Sequence, residues 1–317
     1  MDSTPDPHPS LRRILEGAGR PDLVELLGLQ LSAPDLTSLL MAAMAARAER
    51  LAAPEVLRRY RTDRFSAPAE VPFRDLRRAE DGVIGATPAS WTWVTLSPVA
   101  PLGTHSSVAG VHQNRVVTTT RSGDVAADPT NALALEAGRR RSAGEDVVRL
   151  ASIQRVLRAQ RFDAEAAYAH FTVFGLVTAG RSLEGHRFER EAVIEHLQIH
   201  LDGLQRLGAD GIEVLLTDLT GGDGLGVIED ATTRWPAIED VRIREDSERT
   251  EGRNYYEGVC FKVRATFGSR TFEIADGGVT DWTQRMLSDR HESLCISGAG
   301  LDRIALMLAS RSDDAPA

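Results

Sequence analysis

Lysine is nearly missing from this chain. Lys262 is the only one in 317 residues, so arginine carries almost all of the positive charge. A Walker-type phosphate loop needs Gly-Lys-Ser/Thr, and that tripeptide does not occur. Schiff-base chemistry would have only Lys262 to draw on. Cysteine is scarce too. Cys260 and Cys295 each sit in an apolar, strand-like run, where a buried free thiol is expected. Two cysteines exclude a zinc centre built mainly on thiolates. No apolar run approaches the ~20 residues that span a bilayer. The Met1–Asp6 start is acidic and contains proline, unlike a basic-then-apolar leader. A cytoplasmic protein with no membrane partner is therefore expected. A net charge of −9 argues against a broad electrostatic grip on nucleic acid.

Hydrophobic residues make up 42% of the chain, enough for a sizeable core. Residues 1–9 read as disordered, and residues 10–68 read as helical. Leu11, Ile14 and Leu15 form a short apolar stripe. Asp22 is placed to cap a helix over Leu23–Leu29. Ser32, followed by Pro34 and Asp35, starts a longer helix reaching about Leu51. Further helices are expected over Pro54–Phe65 and Phe73–Glu80. The pattern then changes. Trp91–Leu96 alternates as a strand does, and the β-branched run Val116–Thr120 predicts another. A helix over Asn131–Arg141 follows, then strands within Val147–Leu157 and Phe171–Val177. Glu189–Leu207 predicts a long helix closed by Gly208, and Ile212–Leu216 a strand. Tyr255–Thr266 and Arg270–Ala275 predict a hairpin around Gly268. Strands joined by short turns predict an α+β fold with a mainly antiparallel sheet. The expected division is a helical extension over 1–70, a core over 71–310 and a disordered tail over 311–317.

Several constellations have both a functional and a plain reading. In Leu294–Ile304 an apolar run meets Gly298 and Gly300, and Arg303 falls in the first turn of a helix. Glycine there admits a close backbone or planar ligand, and a guanidinium binds phosphate through a fixed fork. Arg158 ends a strand, either pointing into a cleft or lying on the surface. Arg121, Asp124 and Asp128 are either ligands for a substrate carboxylate and amine or solvated loop residues beside a turn at Asp128-Pro129. Tyr255 and Tyr256 open a strand and should face opposite sides, one lining a pocket or both packing. His196 and His200 stand at helical i, i+4 spacing, but Leu197 replaces the glutamate of the zinc-protease pattern and no third ligand follows. No metal site is expected. Gly222–Gly226 follows a strand without a following helix N-terminus, and reads as a loop.

Taken in order, these stretches resemble the catalytic core of class II aminoacyl-tRNA synthetases, most closely the histidyl-tRNA synthetase group. Trp93–Pro98 resembles the strand ending in proline that forms the dimer-interface motif. Leu157-Arg158-Ala159-Gln160, a loop, and Phe171–Phe174 resemble the second motif, whose arginine holds the ATP α-phosphate and the amino-acid carboxylate. Arg253–Phe261 resembles the Tyr-Tyr strand, and Asp276–Asp281 the Gly-Gly turn with Gly277 and Gly278. Gly298–Arg303 resembles the third motif, whose arginine contacts the γ-phosphate. The likeness spans roughly residues 90–310.

The resemblance implies ATP and Mg²⁺ as cofactors and a homodimer. Arg158 and Arg303 take the catalytic roles, and Arg158, Gln160, Phe171 and Arg303 hold ATP. Arg121, Asp124, Asp128, Thr130, Tyr255, Tyr256, Gly277 and Gly278 surround the amino acid. Departures qualify this. The sequence stops just after the third motif, without the expected anticodon-binding domain, and Leu216–Tyr255 is too short for the usual inserted domain. Gln160 replaces the glutamate that contacts adenine. The stretch 163–170 lacks the usual arginine, and Arg253 lies closer to the tyrosines than the family's arginine does. The expected function is ATP-dependent amino-acid activation, with transfer to a carrier protein, a small molecule or another protein; ordinary tRNA is not expected as a partner. The alternative is a non-catalytic amino-acid-binding subunit resembling the regulatory subunit of ATP phosphoribosyltransferase.

Overall fold

A computed structural model describes residues 9–160, 168–219, 226–227, 231, 241–250 and 255–313. The described residues fall into two units. One holds those up to Arg61 together with Thr119–Ser122; the other holds Thr62–Thr118 and everything from Gly123 onward.

The first unit is helical. Helix α1 spans Pro9–Ala18, α2 Ala33–Ala48 and α3 Ala53–Tyr60. Ser32 caps α2, its hydroxyl accepting from the Asp35 amide, as expected. The helix stops short of Leu51. The stretch expected as one helix over Leu23–Leu29 is a short α-turn, Leu23–Glu25, running into a π-turn over Leu26–Gln30. None of these helices contains a buried residue.

The second unit is built on an eight-stranded sheet. Helix α4, Phe73–Ala86, leads in. The strands are β1 Thr92–Trp93, β2 Val99–Pro101, β3 Gly123–Val125, β4 Val148–Leu157 and β5 His170–Arg181. Then come β6 Gly211–Asp218, β7 Val241–Glu245, β8 Val259–Phe267, β9 Arg270–Thr280 and β10 Glu292–Gly300. The order is β1-β4-β5-β10-β9-β8-β6-β7, with β2 and β3 as a separate ribbon. The outermost pairs, β1 with β4 and β6 with β7, are parallel; every inner pair is antiparallel. The expected mainly antiparallel sheet is what the chain forms.

Among the described residues the unit also has helices α5 Pro129–Ser142, α6 Arg187–Arg206, α7 Trp282–Leu287 and α8 Leu301–Asp313. One core lies between the sheet and α6 and α8, and includes Phe174, Leu197, Leu201, Phe261 and Leu301. A second lies between α5, α7 and the sheet, around Leu133, Leu150 and Trp282. Gly208, at φ +78°, ends α6 where a side chain would be strained. Helix α8 runs three residues into the stretch expected as a tail.

Three local expectations need correction. Val116–Thr120 is not a strand; it makes only an isolated bridge, Thr118 to Asp124, after a 3₁₀ turn over Gln113–Arg115. β-branching favours a strand only where a partner edge exists. Tyr255 and Tyr256 precede β8 instead of opening it, and their rings meet edge to face at 5.0 Å, so they do not face opposite sides. Gly277 and Gly278 lie inside β9, paired with β8 and β10, and form no turn. A Cβ on Gly277 would stand 2.5 Å from Phe261 Cζ and from Ser297 Cβ. One on Gly278 would stand 2.6 Å from the Val259 carbonyl oxygen. Close strand approach, not a reversal of direction, requires glycine at both places.

Candidate functional site

A cavity of about 730 Å³ opens over the middle of the sheet, within the second unit. Its floor comes from β9 and β10. Its walls come from the β4–β5 ends, the start of α5, the Tyr-Tyr segment and the first turn of α8.

The start of α5 sits unusually close to β5. Gly175 makes this possible, because a Cβ there would lie 2.8 Å from Pro129 Cγ. The cap of α5 is Asp128, whose Oδ1 accepts from the Thr130 amide at 2.9 Å and from the Thr130 hydroxyl at 2.7 Å. Its other oxygen accepts from Arg158 Nη2 at 3.1 Å. Arg158 Nε donates to the Ala127 carbonyl at 3.0 Å, and its guanidinium lies 5.0 Å from the centre of the Phe171 ring. The expected turn at Asp128-Pro129 is thus a helix cap that also orients an arginine. Arg158 is half-buried and lines the cavity with Phe171 and Gln160. The backbone carbonyls of Ala159 and Gln160 are held by Arg64.

On the opposite side, Asp302 fixes the start of α8 to β5. Its carboxylate accepts from the Thr172 amide at 2.9 Å and from Arg155. That places Arg303 at the cavity rim, donating to the Glu273 carbonyl. Gly300 leaves the space beside Arg303 open, since a Cβ there meets nothing nearer than the Arg303 Cβ at 4.0 Å.

The deep end is aromatic and acidic. The Tyr256 hydroxyl donates to Asp276, and Arg249 Nη2 pairs with the other Asp276 oxygen at 2.7 Å. The Arg249 guanidinium also lies 5.5 Å from the Tyr256 ring centre. Burial raises the Asp276 carboxyl above the usual carboxylate range, although Arg249 draws it down. Burial likewise pushes both tyrosine hydroxyls up, so each stays protonated and able to donate. Tyr255 packs edge-on against Trp282, with ring centres 5.1 Å apart.

Of the residues singled out in the sequence, Arg158, Gln160, Phe171, Asp128, Thr130, Tyr255, Tyr256 and Arg303 line this one cavity. Four others do not. Asp124 is fully buried, and its carboxylate accepts from the Gly103 amide, the Gln113 amide group and the Thr118 hydroxyl, so it holds the β2–β3 ribbon together. Arg121 belongs to the Thr119–Ser122 segment of the first unit. Gly277 and Gly278 shape the sheet beneath the cavity without lining it. Arg253 and residues 163–167 and 220–225 lie outside the described residues.

The sequence reading missed Arg249, Asp276, Asn131 and His105, all of which line the cavity. The one sequence signal for Arg249 is a basic residue shortly before the Tyr-Tyr pair, a signal that Arg253 shares. Nothing in the sequence marks His105, which arrives from a π-turn far from the other motifs. His196 and His200 are no metal pair. Both contact the Ser297 hydroxyl, at 2.9 and 2.8 Å, and His196 also contacts Thr178. Burial holds both imidazoles in the neutral form, His200 at about 4. Among the described residues no group of three or more His, Cys, Asp or Glu is arranged to hold a metal ion, and no helix is long and apolar enough to cross a membrane. Cys260 and Cys295 are buried free thiols, as expected.

No family model matches the chain, and no curated protein matches it. Solved structures do. The chain is similar to an ATP phosphoribosyltransferase regulatory subunit/histidyl-tRNA synthetase from Bacillus halodurans, at 14% identity and a TM-score of 0.58, over 77% of this chain and 83% of that one. It is similar to the apo histidyl-tRNA synthetase of S. aureus, at 13% identity and a TM-score of 0.57, over 76% of this chain and 66% of the other. It is also similar to a histidine–tRNA ligase subunit from Alicyclobacillus acidocaldarius, at 13% identity and a TM-score of 0.59, over 78% of this chain and 97% of the other. The fold is that of the class II synthetase catalytic core, as the sequence motifs implied.

Proposed function

We propose that this class II synthetase-like core activates an amino acid with ATP. The observation that carries the reading is convergence. Arg158 and Arg303 stand far apart in sequence, yet both line one cavity, with Phe171 beside one and open space beside the other. The residues fit the group: two fixed-charge forks for phosphates, an aromatic face for a base and an amide at Gln160 offering donors and an acceptor.

In the reaction the amino-acid carboxylate attacks the α-phosphate, a P–O bond forms, and pyrophosphate leaves with the electron pair of the bond that breaks. Arg158 neutralises charge building on the carboxylate and α-phosphate, already oriented by Asp128 and the Ala127 carbonyl. Arg303 receives the terminal phosphate. Mg²⁺, if carried in with the nucleotide, would supply further positive charge against the phosphates. Asp128 and Thr130 meet the substrate ammonium, while Tyr255 and Tyr256 bound its side chain. The acceptor would be a carrier protein, a small molecule or another protein rather than ordinary tRNA.

A homodimer belongs to this proposal. Trp93 in β1, Val99 in β2 and Leu102 just after β2 are large apolar residues left exposed. Light scattering tests it: a dimer is expected, and a monomer at micromolar concentration contradicts it.

A second reading has one observation in its favour. Gln160 stands where the resemblance leads one to expect an acidic adenine contact. A binding subunit that holds an amino acid without activating it would tolerate this change. ATP binding separates the two. The activating enzyme should bind ATP, and Arg303→Ala should weaken binding at least tenfold; unchanged binding would remove Arg303 from the phosphate site.

A further inference from the structure

Several cations around the cavity already have protein partners. Arg158 donates to Asp128, Arg249 to Asp276, and Arg303 to the Glu273 carbonyl, while Lys262 pairs with the Glu273 carboxylate at 3.0 Å. Arg115 differs. It lines the same cavity and is exposed, and among the described residues no hydrogen bond or ion pair engages its guanidinium. An exposed arginine on a loose loop would carry no argument, but the backbone of this one is held on two sides. Its carbonyl accepts from the Ala159 amide at 3.1 Å, which fixes it beside the residue that follows Arg158. It also ends the 3₁₀ turn Gln113–Arg115, and that turn is anchored at its start. Gln113 Oε1 accepts from the Ser106 hydroxyl at 2.7 Å, and Nε2 donates to the Asp124 carboxylate at 2.8 Å and to the Thr118 hydroxyl at 2.9 Å. The Asn114 amide donates to His112 Nδ1 at 3.2 Å, and the Val116 amide closes on the Gln113 carbonyl at 3.0 Å. Asp124, fully buried and outside the cavity, thus seats the turn that presents Arg115 to it.

We infer that Arg115 is a phosphate-binding residue of this cavity, offering its guanidinium to the polyphosphate of the bound nucleotide beside Arg158. The inference rests on the nucleotide-binding part of the reading above. Arg158 and Arg303 share their donors with protein acceptors, whereas Arg115 brings an unspent fork of them. Its anchored backbone lowers the ordering cost of binding. A chain with a net charge of −9 repels a polyanion, and an exposed cation at the cavity offsets that repulsion locally. Gln113 and Asp124 act as positioning residues, since they hold the turn and do not touch the ligand.

Calorimetry on the full chain with ATP, inorganic pyrophosphate and adenosine tests this. Arg115→Ala should weaken binding of ATP and of pyrophosphate at least tenfold and leave adenosine, which has no phosphate, within twofold. Arg115→Lys keeps the charge without the fork and should recover part of the loss, which a merely structural defect would not allow. The deficit should shrink at high salt, because an exposed charge is screened. Arg242→Ala removes the same charge from an exposed position on β7, outside the cavity, and should leave ATP affinity within twofold. Unchanged ATP affinity in a folded Arg115→Ala protein, an equal loss for adenosine, an equal loss in Arg242→Ala, or a parent that binds neither ATP nor pyrophosphate overturns the inference. Activation fails separately: ATP binding that depends on Arg115, with no pyrophosphate exchange for any amino acid, rejects activation and leaves the role of Arg115 standing. Exchange by the parent, with ATP affinity unaltered in Arg115→Ala, does the reverse.

Discussion

Gly175→Ala is the most informative single-atom perturbation of the fold that carries the site. The added Cβ would stand 2.8 Å from Pro129 Cγ, 3.2 Å from Pro129 Cβ and 3.4 Å from Leu133 Cδ1. Carbon atoms in contact prefer about 3.5–4.0 Å, so the first turn of α5 must retreat by roughly 1 Å. Pro129 cannot turn away, because its ring is rigid. Overpacking of this kind costs about 1–3 kcal/mol. At ~2–4 °C per kcal/mol for a unit of this size, the midpoint of thermal unfolding should fall by about 2–12 °C. The same retreat carries Asp128, Thr130 and Asn131 away from Arg158 and Tyr255, and a 1 Å misplacement can cost ~10²-fold in rate. The assay is thermal unfolding followed by tryptophan fluorescence, with Gly85→Ala as control. That glycine sits in α4 with nothing nearer to a new Cβ than Arg206 Nη1 at 3.5 Å, so alanine there should stabilise by about 0.5–1 kcal/mol. A Gly175→Ala protein as stable as the parent, with unaltered ligand affinity, would refute the claim that this glycine seats the helix.

Other expectations follow from the same structure. Arg141 and Glu292 form a two-armed ion pair with side chains 7% and 5% exposed, so Glu292→Gln, which leaves a buried guanidinium short of its charge partner, should cost about 3–5 kcal/mol in chemical denaturation. His196 and His200 are neutral when folded, and burial holds both below 6.5, His200 at about 4. The unfolded chain takes up protons near pH 6.5 that the folded chain refuses, so stability should be full above that pH and decline as pH falls toward 4; His200→Asn should flatten the decline, and an unchanged slope would reject the assignment. Thiol reagents should label neither Cys260 nor Cys295 in the native protein, since burial pushes both thiols up, Cys260 to about 11. Labelling at the unfolded-state rate would contradict their placement.

Most of the sheet could be read from the sequence, because its strands carry β-branched and apolar runs bounded by turns. Strands β4, β6 and β10 and helices α2, α5 and α6 fall close to their expected places. The errors have physical causes. Val116–Thr120 has strand composition but pairs with β3 only through the single bridge from Thr118 to Asp124. Gly277-Gly278 has turn composition, yet the glycines answer to crowding from Phe261, Cys260 and Ser297 on neighbouring strands, which no local pattern reveals. Trp91–Leu96 reads as a six-residue strand and pairs over only Thr92 and Trp93. In the site, the arginines were legible because each follows a strand end or a glycine pair. Asp124 was misread because an acidic loop residue looks the same whether it faces a ligand or caps its own backbone. Arg249 and His105 needed the third dimension: each reaches the cavity from a segment with no motif of its own.

Amino-acid-dependent ATP–pyrophosphate exchange is the most direct measure of whether this protein activates an amino acid. The full chain is assayed with Mg²⁺ over a broad amino-acid set including histidine, beside Arg158→Ala. Exchange is expected with at least one amino acid, and its loss in the variant. Silence across the whole set from a folded protein would contradict activation and favour a binding subunit built on the same core.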